Sequence, residues 1–208
     1  MAAKPALAFS HLGVYVRDLA RMEAFYTGLL GFTVTDRGDY SAPTGPTYLV
    51  FLSRDPDEHH QIVLATGRPE GLAFSTLNQI SFRVPDLAGL RALHAALPRF
   101  DATDVRPLYH GNAMSVYFRD PEENRIEVFM DTPWYVTQPC GIALDLARSD
   151  DEIWRWAEET ARELPGFRPR AAWRREMAAR MGVACPTRAS TSRSSATGAV
   201  PASSPPTR

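Results

Sequence analysis

An internal repeat constrains the fold of this chain more than any other feature of its sequence. The segment HLGVYVRDLARMEAFY begins at His11, and the related segment QISFRVPDLAGLRALH begins 68 residues later at Gln79. In both copies, a run with strand-like alternation leads through an Asp-Leu-Ala turn into an amphipathic helical run. An aspartate in such a turn suits a helix N-cap. The sequence therefore predicts two copies of one structural module.

A second, shorter repeat completes the module. The triplet Arg-Asp-Pro occurs at positions 54–56 and again at positions 119–121, 65 residues apart. Each triplet is flanked by two strand-like runs, TYLVFLS and HQIVLA in the first half and MSVYF and RIEVFM in the second. A unit of this length that occurs only twice is not a solenoid repeat. We expect an α+β fold in which two βαβββ modules form one open barrel around a central cavity.

The repeat also sets the expected domain boundaries. One domain covers residues 8–139, with module one at about 8–66 and module two at about 76–131. Residues 149–182 are expected to form a C-terminal extension of two helices, because an acid-rich start follows Ser149 and the pair Pro165-Gly166 separates the helical runs. Residues 184–208 are rich in Ser, Thr, Pro and Ala, which predicts a disordered tail.

Charge and cysteine content exclude several classes of function. A net charge of −1 argues against a protein that grips nucleic acid or anionic membranes through bulk charge. No apolar run approaches the roughly 20 residues of a membrane-spanning helix, and Met1–Ser10 lacks the apolar region of a signal peptide. Cys140 and Cys185 form no disulfide or zinc pattern. We expect a cytoplasmic protein with no nucleic-acid or membrane partner.

Four polar residues occupy related positions of the two modules. His11 and Gln79 open the first strands, while His60 and Glu127 lie in the last strands. If His60 and Glu127 point inward, the pseudo-twofold symmetry gathers all four around one centre. A glutamate on a buried strand face is costly unless it is paired or bound to a metal. Two imidazoles and one carboxylate suit divalent iron or manganese, so the sequence predicts a metal site.

Three segments carry a family resemblance that covers roughly residues 8–139. They are HLGVYVRDLARMEAFYTGLLGF, HHQIVLA and HGNAMSVYFRDPEENRIEVF. The chain resembles the vicinal oxygen chelate superfamily, which includes glyoxalase I, bleomycin-resistance proteins, fosfomycin-resistance enzymes and extradiol dioxygenases. The third segment has a His-Gly, a Tyr seven residues after that His, then Asp-Pro and a Glu. This pattern is similar to the signature of one-domain type I extradiol dioxygenases.

The resemblance implies a role for each matching residue. Glu127 and His11 match metal ligands of the family, and His60 matches its catalytic histidine, which handles protons. His110 and Tyr117 match groups that contact a catechol-like substrate. The metal implied is Fe(II), with Mn(II) or another divalent ion as alternatives. The expected partners are a small aromatic substrate and dioxygen, and the chain is expected to form a homo-oligomer.

One position departs from the dioxygenase pattern. Gln79 stands where the family has a second histidine ligand, although some glyoxalases use glutamine in this fold. The triad is therefore either His11, Gln79 and Glu127, with His60 kept for proton transfer, or His60 is itself a ligand. A glutamine carbonyl oxygen is a harder and weaker ligand than imidazole. The sequence leaves both alternatives open.

Two further functions compete with ring cleavage. A glyoxalase-like lyase or isomerase, or a thiol transferase of the same fold, needs a Lewis acid but no dioxygen. A small-molecule sequestering protein of the bleomycin-binding type needs no metal. Elsewhere, we expect His59 to point outward and His94 to be structural or exposed, whereas Trp134 and Tyr135 either cover the cavity or pack in the core.

Overall fold

The computed structural model describes residues 8–42, 45–72 and 75–184. Module one consists of β1 (Leu12–Val16), α1 (Leu19–Gly28), β2 (Thr33–Ala42), β3 (Gly45–Ser53) and β4 (Ile62–Thr66). Module two consists of β5 (Ile80–Arg83), α2 (Leu87–Ala96), β6 (Thr103–Tyr109), β7 (Ala113–Arg119) and β8 (Arg125–Asp131). The predicted α+β class and the twofold βαβββ order are confirmed. The predicted tail, apart from Ala184, lies outside the described residues, as does Cys185.

The two Asp-Leu-Ala turns start the two helices as predicted. The Asp18 side chain accepts a hydrogen bond from the Arg21 amide at the N-terminus of α1, and Asp86 accepts one from the Gly89 amide at the N-terminus of α2. Each cap satisfies one of the amide groups that a helix start leaves without an intrahelical partner. The sequence repeat is therefore a repeat of local structure.

The strands form two main sheets with equivalent orders. Sheet one has the order β1-β4-β3-β2, and sheet two adds β10 (Ile142–Ala143) to give β10-β6-β7-β8-β5. The first and last strands of each module pair in parallel, β1 with β4 and β5 with β8. The barrel was expected to be open, and the strand pairing agrees with this. In the described part of the chain, β1 and β5 are edge strands that do not pair with each other, so the sheets do not close into a barrel.

One hydrophobic core joins the two modules. Phe25 of α1 lies 6.3 Å from Phe118 of β7, and Phe32 meets Phe82 of β5 edge to face at 5.7 Å between ring centroids. Alternate residues of β7, such as Val116 and Phe118, are fully buried on this side of the sheet. Because a strand turns successive side chains to opposite faces, the other face of sheet two is left to carry polar groups.

The C-terminal extension packs on module two. It contains β9 (Trp134–Tyr135), α3 (Asp150–Glu163), β11 (Arg168–Pro169) and α4 (Arg170–Met181), and β9 pairs with β11. Both predicted helices are confirmed, and Ser149 and Glu152 form a capping box at the start of α3. None of the helices in the described ranges is long and apolar enough to span a membrane.

The aromatic pair after β8 belongs to this packing. Trp134 is buried and donates a 2.8 Å hydrogen bond to the Tyr109 hydroxyl, which itself donates to the Ala157 carbonyl of α3. Tyr135 stacks on Trp173 of α4 at 5.2 Å between ring centroids. Of the two roles considered, the structure gives core packing to Trp134, which also meets Trp154 of α3, whereas Tyr135 is half-buried and packs against α4.

Candidate active site

Glu127 is the centre of a hydrogen-bond network on the polar face of sheet two. The pairing of β8 with β7 and β5 sets Glu127 opposite Tyr117 on one side and opposite Ser81 on the other. Glu127 Oε1 accepts from Ser115 Oγ at 2.9 Å and from the Tyr117 hydroxyl at 2.6 Å. Its Oε2 accepts from Gln79 Nε2 at 2.8 Å and from Ser81 Oγ at 2.6 Å. Four neutral donors therefore surround one carboxylate.

The negative charge of Glu127 is the second feature of this network. Glu127 is only 8% exposed, and among the described residues it forms no ion pair with a Lys, Arg or His side chain. A buried carboxylate is costly unless it is compensated by hydrogen bonds, by a cation or by a metal. The four neutral donors supply hydrogen bonds but no positive charge. The carboxylate of Glu127 therefore remains a favourable position for a cation.

Tyr117 links Glu127 to His110. His110 Nε2 lies 3.1 Å from the Tyr117 hydroxyl, while its Nδ1 contacts the Cys140 carbonyl. A phenol has a single proton, so Tyr117 can donate to Glu127 or to His110 but not to both at once. The three groups therefore form a relay along which a proton can be transferred.

The surroundings of Tyr117 keep it protonated. Burial, together with the hydrogen bond and the negative charge of Glu127, raises the pKa of Tyr117 above its ordinary value. A phenol with a raised pKa remains a donor throughout the neutral pH range. Tyr117 can therefore hold a proton beside the carboxylate, or supply a hydrogen bond to a bound oxygen atom in place of the one to Glu127.

These residues line one cavity of about 340 Å³. Its wall includes Gln79, His110, Tyr117, Glu127 and Cys140. Small-molecule sites commonly have volumes of about 300–1,000 Å³. The structure thus brings four of the predicted site residues, all from module two, to one cavity of a size that suits a single aromatic ring.

His11 and His60 of module one form a separate pair, and His59 Nδ1 also lies 2.9 Å from His60 Nδ1. The rings of His11 and His60 lie 4.2 Å apart, and His60 also contacts Phe51 edge to face at 5.2 Å. Burial and the neighbouring His11 lower the pKa of His60, which favours the neutral imidazole needed in a ligand or a base. His60 precedes β4, which begins at Ile62, so the alternation of that strand does not set its direction.

The four predicted centre residues therefore occur as two pairs. Gln79 is in direct contact with Glu127, and His11 is in contact with His60. Over residues 8–42, 45–72 and 75–184, no group of three or more His, Cys, Asp or Glu side chains is placed to hold a metal ion. A single centre formed by all four residues stays a prediction.

Sequence reasoning missed two members of the Glu127 network. Ser81 lies two residues after Gln79, and Ser115 lies two residues before Tyr117. Residues two apart in a strand share a face, so the alternation that selected Gln79 and Tyr117 also pointed to these serines. Of the remaining histidines, His59 is exposed as expected and His94 lies in α2, away from both pairs.

Comparison with known proteins identifies the family. A model described as the Glyoxalase/Bleomycin resistance protein/Dioxygenase superfamily matches residues 8–128. The chain belongs to this superfamily. Its match confirms the resemblance drawn from the repeat and from the HGNAMSVYFRDPEENRIEVF segment, and members of the superfamily include dioxygenases, lyases and resistance enzymes.

Individual members of the superfamily differ in what they do. Biphenyl-2,3-diol 1,2-dioxygenase 3 of Rhodococcus globerulus is 29% identical over 136 residues, which span 63% of this chain and 66% of that protein, just under two thirds of its length. A glyoxylase/bleomycin resistance protein/dioxygenase domain from Frankia sp. EAN1pec shares the fold, with 22% identity, coverage of 62% and 100% of the two chains and a TM-score of 0.52. A fosfomycin resistance protein of Listeria monocytogenes, solved with Mn(II) and sulfate, has 16% identity, coverage of 62% and 95% and a TM-score of 0.46.

Proposed function

We propose that this protein is a metal-dependent extradiol-type dioxygenase that cleaves the ring of a catechol-like aromatic substrate. The observation that carries the proposal is the relay of His110, Tyr117 and Glu127 on the wall of one cavity. The relative from Rhodococcus globerulus, a biphenyl-2,3-diol dioxygenase by name, supports the same chemistry. The products of such a reaction contain both atoms of dioxygen, so no further reductant is needed.

The donor chemistry of the two pairs suits a divalent metal, although the described residues do not bring the two pairs into one cluster. Glu127 offers a buried negative charge without a cationic partner among the described residues, and His11 offers an imidazole beside the neutral His60. We propose His11, Gln79 and Glu127 as the ligands, with Fe(II) as the ion and Mn(II) as the alternative. Gln79 now donates to Glu127 through Nε2, so ligation requires its carbonyl oxygen to turn towards the ion.

The metal supplies a Lewis acid for the catechol oxygens and a redox centre for dioxygen. Proton transfer and hydrogen bonding to the substrate are carried out by the protein's own side chains. His60, neutral near pH 7, accepts a proton from the catechol, as a general base must. Tyr117 donates to a substrate oxygen atom when its hydroxyl turns away from Glu127, and His110 donates from Nε2 when it is protonated there, because its Nδ1 already faces the Cys140 carbonyl. Both donors stabilise negative charge that develops on the substrate.

One observation favours a second candidate, a metal-free protein that binds small aromatic molecules. Protein donors already fill the hydrogen-bonding positions of Glu127, and the imidazole pair lies apart from it. If this candidate is right, the same cavity binds a small aromatic molecule but catalyses no reaction on it. Metal content separates the two candidates directly.

The experiment that tests the proposal is a substrate screen under controlled metal loading. The protein is purified without oxygen, loaded with Fe(II) and mixed with catechol, 3-methylcatechol or 2,3-dihydroxybiphenyl in air-saturated buffer. We expect a yellow ring-opened product that depends on Fe(II), is lost in His110→Gln and is retained in His94→Gln, a matched histidine control on α2. Metal binding without oxygen consumption on any diol would instead favour a lyase or transferase of this fold.

A further inference from the structure

A second cavity, of about 450 Å³, lies where the two modules meet. Its wall contains four arginines together with Asn78 and the turn between β7 and β8. The arginines come from both modules, with Arg17 and Arg68 from module one and Arg119 and Arg125 from module two. We refer to this space, defined by Arg17, Arg68, Arg119 and Arg125, as the arginine cavity.

Two of these arginines are neutralised by the protein. Arg68 Nη1 lies 3.3 Å from Glu122 Oε2, and both side chains are almost completely buried. Arg119 Nε lies 3.3 Å from Asp104 Oδ2 and 3.6 Å from Glu123 Oε2. These contacts use Arg68 and Arg119 to fix the cavity wall rather than to bind a ligand.

Arg17 and Arg125 are different, because neither forms an ion pair within the described part of the chain. The Arg17 side chain donates only a long, 3.5 Å hydrogen bond to the Pro69 carbonyl. Arg125 Nε is shielded from solvent and has no hydrogen-bond partner among the described residues. Shielded polar nitrogens nearly always have a partner in folded proteins. The exposed guanidinium of Arg17 and the partly buried guanidinium of Arg125 therefore face one cavity without an ion-pair partner among the described residues, which makes this wall suitable for an anion.

The arginine cavity adjoins the cavity that contains Glu127. Arg125 and Glu127 are two residues apart on β8 and share its polar face, and Asn78 of the arginine cavity immediately precedes Gln79 of the other. The positive charge of Arg125 also acts on the phenol of Tyr117. A ligand whose ring occupies the Glu127 cavity can therefore extend a short arm towards Arg125.

We propose that the arginine cavity binds the carboxylate of an anionic arm on the substrate, through Arg17 and Arg125. A guanidinium group matches a carboxylate with two parallel hydrogen bonds, which gives geometric selectivity as well as attraction. The substrate class is then an aromatic acid whose carboxylate is joined to the ring by a short flexible chain. This assignment of substrate class rests on the proposed function, whereas the anion site itself does not.

The anion site is tested by binding alone, with the full-length protein and without metal or oxygen. The probes are 3-phenylpropionate and its neutral amide, 3-phenylpropionamide, titrated calorimetrically. We expect the acid to bind about tenfold more tightly than the amide, as one charge-assisted contact allows. Arg125→Gln should abolish this preference and Arg17→Gln should reduce it. Arg37→Gln, which removes an exposed arginine paired with Glu23 elsewhere on the surface, should preserve it.

Salt provides a second measurement that does not depend on any variant. Raising NaCl from about 50 mM to about 500 mM should weaken binding of the acid and leave binding of the amide unchanged, because salt screens exposed charges. Equal affinity for acid and amide in the wild type, failure of both to bind, or a preference that survives in Arg125→Gln would overturn the proposal.

The proposed function can fail independently of the anion site. The iron-loaded protein is assayed for oxygen uptake with 3-(2,3-dihydroxyphenyl)propionate and with the corresponding amide. Preference for the acid in binding but no ring cleavage would refute the dioxygenase and leave the anion site intact. Cleavage of both compounds at equal rates and equal KM would confirm the dioxygenase and refute the assignment of the substrate class.

Discussion

Tyr117 and Glu127 face each other across the β7–β8 pairing, and the Tyr117 hydroxyl donates a 2.6 Å hydrogen bond to Glu127 Oε1. The register of the two paired strands determines which side chains lie opposite each other, so it holds Tyr117 beside Glu127. The same hydroxyl lies 3.1 Å from His110 Nε2. Tyr117 thus joins the carboxylate to the histidine of the cavity.

Replacing Tyr117 by Phe tests this link. The change removes the hydroxyl but keeps the ring, so we expect a loss of about 1 kcal/mol in the free energy of unfolding. Turnover should fall roughly 10²-fold, since a positioned proton donor contributes at least that much. Urea unfolding and steady-state oxygen uptake measure the two effects. Tyr15→Phe, at an exposed position of β1, is the control, and unchanged turnover in Tyr117→Phe would remove the relay from the mechanism.

His60 separates the two possible ligand sets. If His60 is the general base, His60→Ala should retain the metal and lose roughly 10²- to 10⁴-fold in turnover. If His60 is a ligand, the same change should remove the metal, and a second change, Gln79→His, should partly restore it by adding an imidazole. Metal content and single-turnover rate are measured for both single variants and the double variant. A His60→Ala protein with normal metal content and normal rate would make His60 a bystander.

The His60 environment also predicts a pH dependence of stability. Burial and His11 lower the pKa of His60 in the folded protein, whereas the unfolded chain keeps the ordinary value of about 6.5. The unfolded state therefore binds a proton more readily, and the stability present above pH 6.5 is lost as the pH falls towards the folded pKa. His60→Asn should make the urea midpoint less sensitive between about pH 7.5 and about pH 5.5. Identical pH profiles for the two proteins would contradict this account.

The contact between the modules depends on a buried ion pair. Glu122 pairs with Arg68 and also accepts hydrogen bonds from the backbone amides of Arg17 and Asp18, at 2.6 Å and 2.8 Å. Arg68→Leu leaves a buried carboxylate without its cation and should cost about 3–5 kcal/mol in the free energy of unfolding. Arg37→Leu, which breaks an exposed pair, should cost about 1 kcal/mol or less. Equal losses in the two variants would show that burial does not strengthen the Arg68 contact.

The repeat predicted the modules because both the helix caps and the strand alternation are local properties. Asp18 and Asp86 cap their helices through the amide three residues further on, a contact that spacing alone specifies. The pairing of the two sheets is not local. The arrangement of the two sheets involves contacts such as that of Phe25 with Phe118, which are 93 residues apart in sequence and which no short motif encodes.

The candidate site likewise has one part set by strand register within a sheet and one part set by how the two sheets are arranged. Gln79, Tyr117 and Glu127 share one face of one sheet, so register brings them together, and the sequence predicted this half of the site. Joining His11 to Glu127 requires a fixed relation between the two sheets. The lack of an ion pair at Arg125 among the described residues was also beyond sequence reasoning, because it depends on which acids Arg68 and Arg119 contact in the folded protein.

Metal content of the wild type and of Glu127→Gln, measured after anaerobic loading with Fe(II) and removal of free ion, tests the central claim most directly. Glutamine preserves the size of the side chain and removes its negative charge. We predict about one ion per chain in the wild type and almost none in Glu127→Gln, because the carboxylate is the only proposed ligand with a formal charge. A wild-type protein that retains no metal, or a Glu127→Gln protein that retains a full complement, would contradict the proposed metal centre.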